Sequence, residues 1–287
     1  MKKLTLSLLI IATSLWGFSQ SLLWKVSGKN MRSPSYLYGT IHIQDQRVFS
    51  FDSTVLKALG SCDAFAMEVL MDNIDMKQVR SMMYMPKGKT LSGMLSPSDF
   101  QKLDSLCKAK LGAGVVFLNS MKPFYLASAI QQVEFARDMN EALDLFLLKN
   151  ARAQNKACYG LEKYEDQIKA IDAMKLDEQL EMLLEMLHDT TNMVSQQSDS
   201  LLNAYLAFDF DVMLNLASDE SLSDNFNNAL IKKRNVTMAK GFEKLARTQT
   251  LFCAIGAAHL AGDKGVVALL KKRGYQVEPV VFQWVEK

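Results

Sequence analysis

Six short apolar segments, concentrated towards the two ends of the chain, have the pattern of β-strands. They are SLLWKVS, SYLYGTIHI, AFAMEVL, KACYGLE, TLFCAIGAA and QVEPVVFQWV. Each is apolar or alternating and is bounded by glycine, serine, asparagine or charged residues, as strands usually are. The pattern predicts strands near both termini and a single strand, KACYGLE, that returns to the sheet midway along the chain.

Almost everything between Asn73 and Thr248 has instead the period of amphipathic helices. SPSDFQKLDSLCKAKLG begins with a serine cap and a proline, then places apolar residues at helical spacing. NEALDLFLLKNARAQN, KLDEQLEMLLEMLHD and SLLNAYLAFDFDVMLNLA repeat the pattern. The sequence therefore predicts an α/β fold, in which the N- and C-terminal segments form a mixed sheet core around a large all-helical insertion. We expect one domain over 20–287, with the core at 20–72 and 249–287 plus the strand near 157–162, and the insertion at 73–248.

The first 19 residues, MKKLTLSLLIIATSLWGFS, have the pattern of a signal peptide. Two lysines precede an apolar stretch, and Gly17 and Ser19 are the small residues at −3 and −1 of a cleavage site before Gln20. The apolar stretch is shorter than the about 20 residues that a bilayer-spanning helix needs. We predict an exported protein, periplasmic or secreted, without stable membrane insertion after cleavage; an uncleaved anchor is the alternative.

Composition and charge narrow the classes of partner. Hydrophobic residues make up 49% of the chain, which is typical of a folded protein and not of a disordered one. Loss of Lys2 and Lys3 with the signal peptide takes the formal charge from +2 to zero. A neutral chain without a dense basic run lacks the electrostatic footprint of a nucleic-acid-binding protein. The expected partner is a peptide or small-molecule substrate, and the sequence leaves the oligomeric state open.

Four cysteines, Cys62, Cys107, Cys158 and Cys253, form no CxxC pair. Three of them lie in apolar, strand-like runs, so we expect buried thiols. Export also permits disulfides, which stay an alternative.

Two of the three histidines share an unusual context. His42 and His259 each lie three residues after a glycine, Gly39 and Gly256, at the end of an apolar run. With 14 glycines in 287 residues, one histidine has a chance of roughly 5% of this spacing, and two of three a chance below roughly 1%. A single such histidine would be interpreted as structural, but the pair favours a functional site. The third histidine, His188, lies at a polar helix end and has no predicted role.

Two glutamates follow the same arrangement. Glu68 lies within the apolar run AFAMEVL, and Glu162 ends KACYGLE. In open α/β sheets ligands bind beyond the carboxyl ends of the strands, so these glutamates and the two histidines are expected to converge there. An isolated carboxylate such as Glu68 is costly to bury unless it is paired or bound to a cation. Glu162 has a second interpretation as a cap of the helix that begins KYEDQIKAI.

Imidazole and carboxylate groups together form a suitable shell for a divalent metal ion. We predict His42, Glu68 and His259 as metal ligands, with Glu68 alternatively acting as the general base. Glycines at the two strand ends allow backbone or substrate to approach closely.

Several segments taken together resemble the TraB/GumN family, which includes the Tiki metalloproteases. They are LLWKVSGKN, SYLYGTIHI, CDAFAMEVL, KACYGLEKYEDQI and LFCAIGAAHLAGDKGVVALLKKRGYQVEPV. The resemblance covers essentially the whole mature chain and is densest at its ends. It implies an α/β core related to erythromycin-esterase-like and haem-binding iron-uptake proteins, and metal-dependent hydrolysis with peptide cleavage in the Tiki branch.

The resemblance also adds candidate residues. His42, His259, Glu68 and Glu162 match family positions, and LIKKRNVTMAKGF resembles the family's Arg-Asn segment. The resemblance therefore implies that Arg234 and Asn235 contact the carbonyl of a substrate; a solvated helix face is the alternative for Arg234. Asp144 matches a family position too, or is a local helix acid.

The sequence thus predicts an exported metal-dependent hydrolase, peptidase-like, that uses Mn²⁺, Co²⁺ or Zn²⁺. Its predicted catalytic residues are Glu68, Glu162, Arg234 and Asn235. One alternative is a binding protein without turnover, for a peptide, a haem or a metal in the same cleft. Another is a metal-free esterase; the chain has no GxSxG motif for a serine nucleophile.

Overall fold

The structure is a computed structural model that describes residues 21–28, 31–73, 75–217 and 224–285. The predicted signal peptide lies outside these residues. Within them, the mixed α/β architecture expected from the sequence is confirmed, with strands from both ends of the chain and helices between them.

A six-stranded mixed sheet forms the centre of the described fold. Its strands are β1 (Leu23–Ser27), β2 (Ser35–Thr40), β3 (Ala64–Met67), β4 (Ala157–Gly160), β5 (Leu251–Gly256) and β6 (Gln276–Val280). Their order across the sheet is β4-β3-β5-β2-β1-β6. All six predicted strands are present, and KACYGLE does return to the sheet, as its edge strand β4.

Four neighbouring strands, β4, β3, β5 and β2, run parallel to one another. Near their carboxyl ends Thr40 pairs with Gly256, and Met67 pairs with both Gly160 and Ala254. β1 is antiparallel to β2 and β6. The four parallel strands therefore end at one edge of the sheet.

Helices fill the sequence between these strands. They are α1 (Ser53–Ser61), α2 (Met76–Met82), α3 (Leu91–Met94), α4 (Pro97–Leu111), α5 (Pro123–Gln132), α6 (Leu143–Ala153), α7 (Tyr164–Ile171), α8 (Leu176–His188), α9 (Met193–Leu206), α10 (Phe210–Ala217), α11 (Asp224–Asn227), α12 (Arg234–Ala246) and α13 (Val266–Lys272). Short 3₁₀ turns occupy Gln46–Phe49, Met71–Asn73, Val115–Leu118 and Ala257–His259, and a π-helical segment occupies Asn228–Lys233.

The caps follow the sequence closely in α4. The Ser96 hydroxyl accepts from the Asp99 N–H, and Gly112 ends the helix in the left-handed conformation at φ 72°. The pattern SLLNAYLAFDFDVMLNLA, in contrast, divides into α9 and α10 at Phe208, whose φ is +58°. There the Phe208 ring stacks on Trp284, with the ring centroids 5.7 Å apart, so a tertiary contact accompanies the break in the helical period.

Two apolar clusters stabilise the described fold. The larger cluster surrounds the sheet and includes Tyr38, Phe65, Phe242 and Phe252. The smaller lies among helices of the insertion and consists of Met85, Leu91, Leu95, Leu103, Cys107, Val115, Leu126, Ala127, Ile130 and Leu183. The insertion therefore has a small apolar core of its own, and other helices of the insertion pack against the sheet.

All four cysteines lie in the described residues and are free, three of them buried and Cys158 partly so. Within the part of the chain that the structure describes, no helix is both long and apolar enough to cross a membrane.

Candidate active site

The four predicted His and Glu residues follow the four parallel strands at the same edge of the sheet. His42 comes two residues after β2, Glu68 directly after β3, Glu162 two residues after β4, and His259 three residues after β5. The strands are shorter than the apolar runs suggested, because the backbone leaves the sheet just before these side chains. The shared edge predicted from the sequence is therefore present.

Glu68 and Glu162 are joined by the guanidinium of Arg234. Its Nη2 donates to Glu68 Oε2 and to Glu162 Oε1, both at 2.6 Å, and its Nε donates to both oxygens of Glu162 at 3.0 and 3.1 Å. The Glu162 side chain is fully buried and that of Arg234 is 10% exposed. A buried carboxylate needs such a partner, since an unpaired buried charge is strongly destabilising. Glu162 does not cap the next helix, where Asp166 accepts from the Lys163 N–H.

Gln167, from α7, ties the same two carboxylates together. Its Nε2 donates to Glu162 Oε1 at 3.0 Å and to Glu68 Oε2 at 3.3 Å. The remaining Glu68 oxygen, Oε1, accepts the Gly256 N–H at 2.7 Å. Burial by itself would raise the pKa of Glu68, but its basic neighbours His259 and Arg234 and the Gly256 N–H lower the pKa overall. Arg234 is charged at neutral pH and stabilises the anionic form of Glu68. The hydrogen bonds to Arg234 and to the Gly256 N–H hold this carboxylate in one orientation.

His259 is buried and is held by Asn235. Asn235 Nδ2 donates to the Lys264 carbonyl at 2.9 Å, which leaves its Oδ1 as an acceptor facing His259 Nδ1 at 2.7 Å. Because Oδ1 only accepts, the hydrogen of the neutral imidazole is on Nδ1 and the lone pair is on Nε2. Burial lowers the pKa of His259 to about 4 against the opposing charge of Glu68, and the charge of Arg234 lowers it further, so the ring is neutral at pH 7.

The Nε2 lone pair of His259 faces an acceptor. Glu68 Oε1 lies 3.8 Å from it. Two atoms that both carry lone pairs gain nothing by facing each other, and a cation or a hydrogen-bond donor between them would satisfy both. The pair therefore has the chemistry of two ligands of one positive centre.

His42 has an equivalent arrangement at the mouth of the site. Its Nδ1 lies 2.8 Å from Asp144 Oδ1, and this hydrogen bond raises the pKa of His42. In the neutral ring Nδ1 then carries the hydrogen, and Nε2 is available to a ligand. The His42 side chain is 69% exposed, whereas that of Asp144 is 17% exposed. Carboxylate and amide partners on Nδ1 are typical of metal-binding histidines, whose orientation they fix.

The two glycines of the histidine motifs have different neighbours. A Cβ on Gly39 would lie 2.9 Å from Leu260 Cδ1 and 3.1 Å from Ala257 Cα, so Gly39 lets β2 pack closely against the turn that follows β5. A Cβ on Gly256 would lie 3.1 Å from Glu68 Oε1. The predicted close approach at both glycines is thus to the protein itself, and at Gly256 it is to a site residue.

Arg234 and Asn235, for which a contact with a substrate carbonyl is predicted, each contact other residues of the site. Arg234 lies between two carboxylates, and Asn235 is 1% exposed behind His259. The π-helical segment Asn228–Lys233 immediately precedes them. Such segments are frequent at functional sites, where the wider turn re-aims the side chains that follow. Both residues thus orient other site residues in the structure.

Two cavities open on either side of this cluster and share Thr40, His42, Glu68 and Gly256. One, of about 510 Å³, is walled by α6 and α7, with Asp144, Tyr164 and Gln167 among its lining residues. The other, of about 340 Å³, is walled by α9, α10, the π-helical segment and α12. Both volumes are typical of small-ligand sites. The helical insertion thus forms both walls of the cleft.

The site meets some of the requirements of a metal ion and not others. Among the described residues, no three His, Cys, Asp or Glu side chains form a group that would hold a metal ion. The donors are nevertheless of the right kind: two imidazole Nε2 atoms with their Nδ1 atoms anchored, and one carboxylate at the same cleft. The chemistry of these donors fits a divalent ion. Their present positions do not surround a single point, so the side chains would have to move closer together to bind one.

A sequence model of the TraB/PrgY/gumN family matches residues 22–279, which is nearly the whole chain. This chain belongs to the TraB/PrgY/gumN family. The expected family is thereby confirmed, and the matched region includes all the site residues described above.

Curated proteins to which the chain is similar are named as metalloproteases. The chain is 24% identical to the Metalloprotease TIKI homolog of Amphimedon queenslandica, over 90% of this chain and 61% of that protein. It is 24% identical to Metalloprotease TIKI2 of Danio rerio, over 93% and 63%, and 23% identical to Metalloprotease TIKI1 of Homo sapiens, over 90% and 61%. The chain therefore spans about three fifths of the length of these curated relatives.

Sequence reasoning missed three features of this site. Gln167 was not selected, although it lies five residues after Glu162 and so one helical turn into α7. The links from Asn235 to His259 and from Asp144 to His42 were not predicted either. The second link joins residues 102 positions apart, so only the tertiary fold reveals it.

Proposed function

We propose that this protein is an exported metal-dependent hydrolase of the peptidase type. His42, His259 and Glu68 would hold the divalent ion, and Glu162, Arg234, Asn235 and Asp144 would keep these ligands in place. The metalloprotease names of its relatives support this reaction class.

The observation that carries the proposal is the pair of facing acceptors, His259 Nε2 and Glu68 Oε1. The two atoms lie 3.8 Å apart, and the Asn235 hydrogen bond prevents the neutral ring from offering a hydrogen at Nε2, so the ring cannot donate to Glu68. A bound cation would satisfy both. His42, at the same cleft, would offer a third donor.

A divalent ion, when bound, would polarise a substrate carbonyl and make a bound water acidic enough to ionise near neutral pH. The residues of the chain would contribute orientation. Arg234 holds Glu162 and one oxygen of Glu68, so that the other oxygen of Glu68 stays directed at His259 and the Gly256 N–H. Glu68 shares the buried guanidinium of Arg234 with Glu162, so among these three described groups two carboxylates face one cation, which favours binding of a further positive charge.

The proposal is tested by cleavage of a peptide library by the mature protein. We expect hydrolysis with Mn²⁺, Co²⁺ or Zn²⁺, loss of hydrolysis with a chelator, and recovery on adding back one of the ions. Hydrolysis that withstands the chelator would contradict the metal-dependent reaction and favour an esterase-like acid–base mechanism.

A binding protein without turnover is the second candidate, and the Arg234–Glu68 ion pair favours it. That pair, at 2.6 Å, already neutralises part of the charge on Glu68. This function predicts that a captured peptide is recovered uncleaved after long incubation with Mn²⁺. Recovery of its fragments would contradict it.

A further inference from the structure

The smaller cavity beside the site differs in chemistry from the larger one. Its lining includes Leu201, Met213, Leu216, Leu230, Ile231 and Ala257. Apart from His42, Glu68, Arg234 and His259, no charged side chain belongs to the described lining of this cavity. The larger cavity instead carries Asp144, Tyr164 and Gln167 beside its apolar residues.

The apolar cavity is continuous with the proposed reaction centre. Glu68 and His42 line both cavities, while His259 and Arg234 line only the apolar one. A peptide substrate whose scissile carbonyl lies at His259 and Glu68 would therefore place the side chain on one side of the cleaved bond in the apolar cavity. The side chain on the other side would meet the mixed cavity between α6 and α7.

The walls of the apolar cavity are well packed. Met213 and Ile231 are 2% and 7% exposed, and Tyr205 is fully buried with its hydroxyl donating to the Gly39 carbonyl at 2.8 Å. That hydrogen bond ties α9 to the end of β2, two residues before Ile41 and three before His42. The cavity is thus held by the same contacts that position the site.

We propose that this cavity is a specificity pocket for an aliphatic side chain next to the bond that is cleaved. This inference rests on the proposed peptidase function and names the substrate class: peptides with leucine, isoleucine or methionine at one flanking position. An aspartate side chain of a substrate would lose its hydration there and would face the carboxylate of Glu68, which shares its guanidinium partner with Glu162. The other flanking position accepts polar side chains, since its cavity carries polar groups.

The test uses peptides that differ only at one of the two residues flanking the cleaved bond, with leucine, alanine or aspartate in turn. At one flanking position we expect leucine to exceed alanine in kcat/KM by at least about tenfold, because even one methylene in an apolar pocket changes discrimination by about 10-fold or more. Aspartate should be poorer than alanine at that position. Equal rates for leucine and aspartate at both positions would overturn the inference.

Two matched variants locate the preference. Leu201→Lys places a charge at the apolar cavity, and Leu145→Lys places one at the mixed cavity. Leu201→Lys should lower kcat/KM for the leucine peptide by about tenfold or more and raise the aspartate-to-leucine ratio. Leu145→Lys should leave that ratio unchanged at the same position, and an equal change in both variants would overturn the assignment.

Failure of the proposed function has a separate signature. If no peptide is cleaved with any of the three ions, the peptidase proposal fails, and the pocket is then judged by binding. Fluorescence anisotropy of labelled leucine and aspartate peptides should show at least tenfold tighter binding of the leucine peptide, reduced in Leu201→Lys but not in Leu145→Lys. Equal binding of both peptides overturns the inference.

Discussion

Asn235 holds the buried ring of His259 through a 2.7 Å hydrogen bond to Nδ1, and its own amide nitrogen is anchored on the Lys264 carbonyl. The two contacts fix both the orientation of the amide and the tautomer of the ring. His259 therefore presents Nε2 towards Glu68. Asn235 is a positioning residue for the candidate site.

Replacing Asn235 by alanine should free the His259 ring. We expect Asn235→Ala to weaken divalent-metal affinity about 10- to 100-fold, because losing the partner of a metal-binding histidine typically has that effect. Metal titration of the purified variant measures it. Asn150→Ala, which removes an asparagine whose Nδ2 donates to the Phe146 carbonyl within α6, is the matched control and should keep native affinity. Equal affinities in the two variants would refute the positioning role.

Arg234 has a structural role that can be separated from chemistry. Arg234→Met should lower the free energy of unfolding by about 3–5 kcal/mol, since the fully buried Glu162 would be left without its cation. Urea unfolding of the variant measures this loss. Adding Glu162→Leu should restore part of the stability, because the unpaired buried charge is then removed as well.

A surface pair provides the control for that measurement. Arg152 bonds Asp72 with both side chains close to half exposed, so Arg152→Met should change stability little. If Arg152→Met and Arg234→Met destabilised the protein equally, burial of the Glu162 charge would not be the cause.

The two motif glycines should respond differently to alanine. Gly39→Ala forces a Cβ against Leu260 and the Ala257 backbone, so we expect a stability loss of about 1–3 kcal/mol. Gly256→Ala displaces Glu68 Oε1 instead, so hydrolysis should fall about tenfold with a smaller loss of stability. Thermal unfolding and peptide hydrolysis of both variants measure the two effects.

Gly60 offers the matched control within α1. The heavy atom that a Cβ added to Gly60 would meet within 4 Å is Gln154 Oε1, at 3.7 Å, which is an ordinary contact. Gly60→Ala should therefore keep native activity, and its stability should be native or slightly higher. Identical stability and activity losses in Gly39→Ala and Gly256→Ala would argue against distinct roles for the two glycines.

Export is tested by the N-terminus of the mature protein. Cleavage after Ser19 predicts that the exported chain begins at Gln20, as N-terminal sequencing or intact mass would show. Ser19→Pro should block this cleavage. An exported chain that retains Met1 would contradict the predicted cleavage and indicate an uncleaved anchor.

The sheet and the edge at which the site lies could be predicted from the sequence. Each short apolar run indicates a strand, and the polar residue after it indicates where that strand ends. His42, Glu68, Glu162 and His259 were identified because each follows such a run. The partners of these residues were harder to predict. Asn235 reaches His259 only when α12 packs beside β5. Whether Glu162 acts in catalysis or as a buried counter-charge depends on Arg234, which lies 72 residues further along the chain.

The division of the cleft into an apolar and a mixed half could not be derived from the sequence either. Its walls come from α6, α7, α9, α10 and α12, whose apolar faces have the same period whether they pack on the sheet or line a cavity. Periodicity identifies these helices but not the cavity that each of them lines.

Elemental analysis of the purified mature protein tests the central claim most directly. We expect about one divalent ion per chain in the native protein, and its loss from the variant carrying both His42→Ala and His259→Ala. His188→Ala, which removes a histidine bonded to Asp99 away from the cleft, should retain the ion. A native protein that binds no divalent ion on titration, or a double variant that folds normally and retains the ion, would contradict the account.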